Sequence, residues 1–117
     1  MTVFLFSPPR QAAVWQPSAD IYKSPDGWIL KFDLAGVRLE DVSALVSRNR
    51  VTVSGIRRDW MLEDSSWCHY SMEISYSRFE RTIELPEDLT SARFRLDYRD
   101  GILLVRILRR EEPKTNE

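Results

Sequence analysis

The chain has 117 residues, 43% of them hydrophobic and 30% charged, enough for one domain that needs no disulfide or metal to fold. Seventeen basic and eighteen acidic residues leave a formal charge of −1, so no overall positive field favours nucleic acid. Cys68 and His69 are single residues of their types, which excludes an intramolecular disulfide and a Cys₄ or Cys₂His₂ zinc site within one chain. The composition therefore disfavours an enzyme, and no cofactor or metal is expected.

Residues 1–14 predict a short apolar arm in front of the domain. Pro8 and Pro9 disfavour a helix there and favour an extended chain. No apolar run approaches the ~20 residues of a membrane span, and the apolar run of the arm is too short for a signal peptide. We therefore expect a cytoplasmic protein. The apolar residues of the arm either pack on their own domain or contact other proteins or a neighbouring subunit. They are Val3, Phe4, Leu5 and Phe6.

From Trp15 onward the hydrophobic pattern has a period of two, which is typical of half-buried strands. Turn signals separate the strands at 24–27, at Asn49-Arg50 and at Asp100-Gly101. The pattern predicts an all-β, immunoglobulin-like sandwich of about eight short strands. Six strands are placed by alternation at 28–34, 42–47, 51–56, 79–85, 92–99 and 102–108, and a seventh short strand is a candidate at 68–74.

Two segments break this alternation. Residues 57–77 form a long connection in which apolar and polar residues are mixed, and connections of that length are usually functional or disordered. Residues 111–117 are charged and are expected to form a short disordered tail. The pair Arg109-Arg110, followed by two glutamates, is interpreted as a solvated end of the domain, which is placed at 15–110.

Four motifs in a fixed order resemble the small heat-shock proteins, the Hsp20 or α-crystallin domain family. Asp33-Leu34-Ala35-Gly36-Val37 with the following 40–42 resembles the family's D-L-P-G-V…E-D-I segment, and 50–55 its L-x-I-x-G strand. Residues 79–86 are similar to F-x-R-x-F-x-L-P, and 96–103 to A-x-Y-x-N-G-V-L. The long connection at 57–77 is typical of the bacterial branch, in which a strand in this loop is exchanged between the subunits of a dimer.

The sequence departs from the family pattern at four points. Ala35 replaces a usual proline, Leu96 a usual alanine, and Ser77 a usual glycine. No Ile/Val-x-Ile/Val motif follows the last strand, since 105–107 lies inside that strand. In the family this tail motif docks in a groove of a neighbouring domain. Because both flanks are short, we expect a dimer or a small assembly, and the arm is a candidate to fill the groove.

The resemblance implies an ATP-independent holdase chaperone that binds partly unfolded proteins and suppresses their aggregation. One alternative is a co-chaperone adaptor of the p23/CS type, which shares the sandwich but docks to a specific chaperone. Another is a partner that caps the oligomers of a longer paralogue. Neither nucleic acid nor a membrane span is expected.

By the same resemblance, a client or partner groove lies between the strands at 42–48 and 91–98. Ordinary core packing is the alternative for about half of its residues, since one face of each strand points inward. The groove residues are Val42, Ala44, Val46, Phe94 and Leu96.

The resemblance also places a homodimer interface in the loop at 57–77, where aromatic residues would serve as anchors. The alternative for Trp60 and Trp67 is that they cover their own core, and for Arg81 that it is a solvated residue paired with Glu80 or Glu84. Adjacent strand residues point to opposite faces, which disfavours a shared metal at Cys68-His69. The interface residues are Trp60, Trp67, Tyr70, Met72 and Arg81.

Overall fold

A computed structural model describes residues 14–63 and 66–110, and within them eight strands form two four-stranded sheets. Sheet I has the strand order β1-β6-β5-β4 and sheet II the order β2-β3-β8-β7. All neighbouring strands are antiparallel except β1 and β6. This confirms the predicted all-β sandwich. The strands are β1 Val14–Trp15, β2 Ala19–Ser24, β3 Gly27–Asp33, β4 Val42–Ser47, β5 Arg50–Ile56, β6 Arg78–Glu84, β7 Arg93–Arg99 and β8 Ile102–Leu108.

The core lies between the sheets and contains only apolar side chains among the described residues. Alternate residues of β3, β5, β6 and β8 point into it, as the period-two pattern predicts. Burying these side chains provides most of the favourable free energy of folding. The buried residues are Trp28, Leu30, Phe32, Leu34, Val37, Val51, Val53, Phe79, Ile83, Leu85, Leu89, Leu103, Val105 and Ile107.

Gly55 is required where β5 crosses the start of β4. A Cβ atom at this position would lie 2.1 Å from the carbonyl oxygen of Asp41 and 2.7 Å from the ring of Phe79. A side chain here would force the neighbouring backbone to shift, so the glycine that ends the 50–55 motif allows two segments of backbone and an aromatic ring to approach closely.

Both predicted hairpin turns are present, but the turn between β4 and β5 is shifted by one residue. Asp100 and Gly101 both have positive φ, as the predicted two-residue turn requires. The β4–β5 turn consists of Arg48 and Asn49 rather than Asn49-Arg50, because Ser47 pairs with Arg50. Arg48 takes the left-handed conformation (φ 57°). The side-chain amide of Asn49 donates to the Leu85 carbonyl at 3.0 Å.

The structure corrects or extends the predictions for the first two strands and for the connection at 57–77. The period of two predicted from Trp15 onward does not hold for β1 and β2, and β2 is exposed along nearly its whole length because it lies at an edge of sheet II. Residues 66–77 form no strand within the single chain, and the short helical turn Trp60–Glu63 lies in the same connection. A strand exchanged between subunits pairs with a partner chain, so that part of the expectation stays a prediction.

Arg109 is not a freely solvated end residue. Its Nε and Nη2 donate to the two carboxylate oxygens of Glu87 at 3.0 and 2.7 Å, and Nη1 donates to the Pro25 carbonyl at 2.6 Å. The Arg109 hydrogen bond, followed by one from the Trp28 indole, lowers the pKa of Glu87 below its usual value. Arg109 therefore fastens the end of β8 to the β2–β3 turn and to the segment after β6.

Candidate functional site

The edge strands β4 and β7 lie on the same side of the sandwich. The segment between β6 and β7 passes the β4–β5 turn, where the Leu85 amide donates to Asn49 and the Leu89 amide donates to Arg48. This path brings the start of β7 to the end of β4. At the other end, the Tyr98 hydroxyl of β7 reaches the carbonyl of Val37, shortly before β4 begins. The two edge strands therefore run in opposite directions along one opening between the sheets.

Apolar side chains remain exposed along this opening. Phe94 and Leu96 pair with the core residues Ile107 and Val105, so they point to the inner face of sheet II, yet they are 40% and 47% exposed. Ala44 pairs with the buried Val53 and is exposed as well. Inward-facing residues can be exposed only where no opposing strand covers them.

The groove residues thus divide into two groups. Val42 and Val46 are half-buried and pack against the core, which agrees with ordinary core packing. The exposed apolar surface of the groove is formed by Ala44, Phe94 and Leu96. These three side chains are therefore the part of the predicted groove that remains available for contact with another segment.

Tyr98 holds the two sides of the opening together. Its hydroxyl has one proton, which is shared between the carbonyl oxygens of Leu34 at 2.9 Å and Val37 at 2.6 Å, the shorter contact being to Val37. Burial raises the pKa of Tyr98 above its usual value, so the phenol stays protonated and keeps its donor. The residue fixes the segment that leads into β4 relative to the end of β7.

The connection at 57–77 carries a second exposed apolar surface. Trp60 and Trp67 are 66% and 60% exposed, so the structure does not support their covering the core of their own chain. Tyr70 and Met72 are also exposed. Residues of this loop line an open depression of about 440 Å³ that includes Trp67, Tyr70 and Met72 but not Trp60.

Arg57 anchors both ends of this loop. Its backbone amide donates to the Ser77 carbonyl at 3.0 Å, and its guanidinium donates to the carbonyls of Ser75 at 2.9 Å and Ala35 at 3.1 Å. The guanidinium also lies 4.2 Å from the centre of the Trp15 ring, a cation–π distance. Sequence reasoning missed this residue because an arginine at the start of a polar loop gives no local signal of its partners.

Arg81 lies on the core side of β6 between Phe79 and Ile83, and its Nη1 donates to the Pro17 carbonyl at 3.0 Å. It does not pair with Glu80 or Glu84, and Glu84 instead pairs with Arg50 at 3.1 Å. The expected role of Arg81 at a dimer interface stays a prediction. The apolar arm residues Val3, Phe4, Leu5 and Phe6, like the tail at 111–117, lie outside the described residues.

Cys68 and His69 are adjacent in the connection at 57–77, and the described residues place no metal-binding cluster around them. Across residues 14–63 and 66–110, no three His, Cys, Asp or Glu side chains are placed to hold an ion together. Cys68 is exposed, and His69 Nε2 lies 3.9 Å from the Asp59 carboxylate. The same ranges contain no helix long and apolar enough to cross a bilayer.

Comparison with models of known protein families identifies the family of the chain. Residues 20–117 match the family described as Hsp20/alpha crystallin family. The chain belongs to that family. The small heat-shock protein fold is also seen in heat shock protein 16.0 from Schizosaccharomyces pombe, whose structure superposes with a TM-score of 0.75 at 25% identity over 88% of this chain and 94% of that one.

Two bacterial proteins are among the relatives that match the chain. Spore protein SP21 of Stigmatella aurantiaca (strain DW4/3-1) is 31% identical over 96 residues, and small heat shock protein C2 of Rickettsia felis is 25% identical over 101 residues. These matches cover 82% and 86% of this chain, but only 56% and 65% of the relatives. The chain thus spans less than two thirds of these proteins' length.

Proposed function

We propose that the chain is an ATP-independent holdase chaperone that binds partly unfolded proteins. The observation that carries the proposal is the opening between β4 and β7, where Phe94 and Leu96 face inward but remain exposed. Unfolded clients expose apolar patches and strand edges that otherwise associate with one another. Membership of the small heat-shock protein family supports the same function.

The size of the effect follows from the exposed area. A client that buries the exposed parts of Phe94 and Leu96, roughly 80 Å² each, gains about 2 kcal/mol from each residue. Removing both contacts therefore weakens client binding by far more than tenfold if clients dock only there, and by about tenfold if other surfaces share the contact.

Suppression of aggregation tests this proposal. Reduced insulin serves as the client, and light scattering is followed with increasing chaperone. The variant Phe94→Ser/Leu96→Ser is expected to need at least about tenfold more protein than the unmodified chain. The control is Leu45→Ser, because Leu45 is 66% exposed but points to the outer face of sheet I. Equal suppression by the groove variant and the unmodified chain would refute the proposal.

We propose further that the chain forms a homodimer through the loop at 57–77. Three exposed side chains lie around one depression, namely Trp67, Tyr70 and Met72. Aromatic residues and methionine are enriched at protein–protein interfaces. Light scattering after size-exclusion chromatography is expected to give twice the chain mass of 13.8 kDa. Trp67→Ser/Met72→Ser is expected to shift the mass to that of the monomer, and Leu45→Ser to leave it unchanged. A variant that remains fully dimeric would refute this interface.

A further inference from the structure

A row of arginines runs along the outer face of β7. Arg93, Arg95 and Arg99 alternate with the groove residues of the same strand, so they point away from the core. Asp97 is the single acidic residue of β7 on that face. The guanidinium groups of Arg93 and Arg99 have no hydrogen-bond or ion-pair partner within the described ranges. The strand therefore has an apolar groove side and a cationic outer side.

The neighbouring strand adds to the positive charge. Arg106 of β8 lies directly opposite Arg95, and like charges at such a position destabilise a sheet. Asp97 offsets part of this repulsion, since its carboxylate is 3.2 Å from Arg106 Nε and 3.8 Å from Arg95 Nε. Because one carboxylate serves two guanidinium groups, the face keeps an excess of positive charge.

Arg95, Arg99 and Arg106 line an open depression of about 600 Å³ on sheet II, and Arg93 lies outside it on the same strand. Its charged lining residues are Lys31, Arg95, Arg99, Arg106, Asp97 and Asp100, four basic and two acidic. The depression is therefore positive although the whole chain has a formal charge of −1. Such a local excess attracts carboxylates at low ionic strength.

Besides its apolar side and its cationic side, β7 offers a free backbone edge. β7 is the last strand of sheet II, and within the described residues only β8 pairs with it. An extended polypeptide added along its free edge would continue the sheet through main-chain hydrogen bonds. Its side chains would then alternate between the groove and the arginine row, with a repeat of about 6.8 Å that matches the spacing of Arg93 and Arg95.

We propose that β7 selects extended client segments in which carboxylate side chains alternate with apolar ones. The apolar residues would cover Phe94 and Leu96, and the carboxylates would meet Arg93, Arg95 and Arg99. A nucleic acid offers no apolar side chains for the groove and no amides for the strand edge, so a polypeptide fits better. This inference rests on the proposed function and adds a charge preference to it.

Peptide binding tests the selection directly. The probe is a fluorescein-labelled peptide that alternates glutamate with isoleucine or valine, and matched peptides carry glutamine or lysine in place of glutamate. Fluorescence anisotropy at low and high salt is expected to rank glutamate above glutamine above lysine, with the ranking compressed at high salt. Each exposed arginine–carboxylate pair contributes about two- to fivefold in affinity, so the glutamate peptide is expected to bind about tenfold tighter than the glutamine peptide.

The protein variant Arg93→Gln/Arg95→Gln/Arg99→Gln is expected to lose this preference and still bind the glutamine peptide. The control Arg38→Gln/Arg48→Gln/Arg78→Gln removes three exposed arginines outside sheet II and is expected to keep it.

Three results would overturn the inference. One is equal binding of the glutamate and lysine peptides, and another is an unchanged preference in the arginine-row variant. The third is tighter binding of a single-stranded oligonucleotide than of the glutamate peptide, lost in the same variant. None of these results affects the holdase proposal, which depends on suppression by the unmodified chain and its loss in Phe94→Ser/Leu96→Ser.

Discussion

The substitution Tyr98→Phe removes one oxygen atom from the side of the groove. The Tyr98 hydroxyl bonds to the carbonyls of Leu34 and Val37, and both residues are nearly fully buried. The Leu34 carbonyl still accepts the Val37 amide at 3.0 Å after the change. The Val37 carbonyl loses the hydroxyl and is left in a poorly hydrated position.

The expected cost follows from that loss. A lost hydrogen bond that leaves a buried acceptor without a partner costs about 1–2 kcal/mol. For a domain of this size, the midpoint of thermal unfolding should fall by about 5–10 °C. Circular dichroism at a fixed protein concentration measures this shift, since self-association makes the midpoint depend on concentration.

Tyr22→Phe is the matched control, because the Tyr22 side chain is exposed and its hydroxyl has one weak contact, 3.4 Å from Lys31 Nζ. This variant should unfold within about 2 °C of the unmodified chain. A further check is alkaline pH. Because burial raises the pKa of Tyr98, the unfolded chain loses this proton first, and stability falls as the pH rises above 10. Tyr98→Phe should lose that part of the slope. Equal midpoints for Tyr98→Phe and Tyr22→Phe would refute the reasoning.

Two further substitutions test other parts of the sandwich. Gly55→Ala places a methyl group 2.1 Å from the Asp41 carbonyl oxygen and against Phe79, and chemical denaturation should show a loss of about 2–3 kcal/mol. Glu87→Gln removes a carboxylate whose pKa is lowered by Arg109, so it should lower the unfolding midpoint at pH 7. Because the unfolded chain takes up this proton first on acidification, the difference should shrink as the pH falls below 4.5, and a pH-independent difference would contradict the ion pair.

Most of the sandwich could be predicted from the sequence because burial imposes a period of two on its inner strands. In β3 the residues Trp28, Leu30 and Phe32 alternate with residues that are less buried or charged, and the predicted strand at 28–34 agrees with the observed strand within one residue at each end. Strand β2 lies at an edge and buries little, so the same rule gives no signal at 19–24.

The site was less predictable because it depends on contacts between distant segments. The groove residues came from a family resemblance, and the structure then separated the half-buried Val42 and Val46 from the exposed Phe94 and Leu96. Local sequence does not show which inward-facing residue lacks a covering strand.

For the same reason the sequence predicts Arg109 and Arg110 as a solvated end, whereas Arg109 pairs with Glu87, 22 residues away. A charged residue near the end of a chain carries no local mark of the partner it will bind.

The anchoring of Arg57 has a consequence for association. Because Arg57 contacts both Ser75 and Ser77, the part of the loop that these contacts do not hold is shorter than the 57–77 connection in the sequence. Fewer residues then remain to be ordered when a partner binds, and ordering them is a direct cost to affinity. In a dimer formed through this loop, Arg57 would thus strengthen subunit association from outside the interface, by limiting the conformations that the unpaired subunit can adopt.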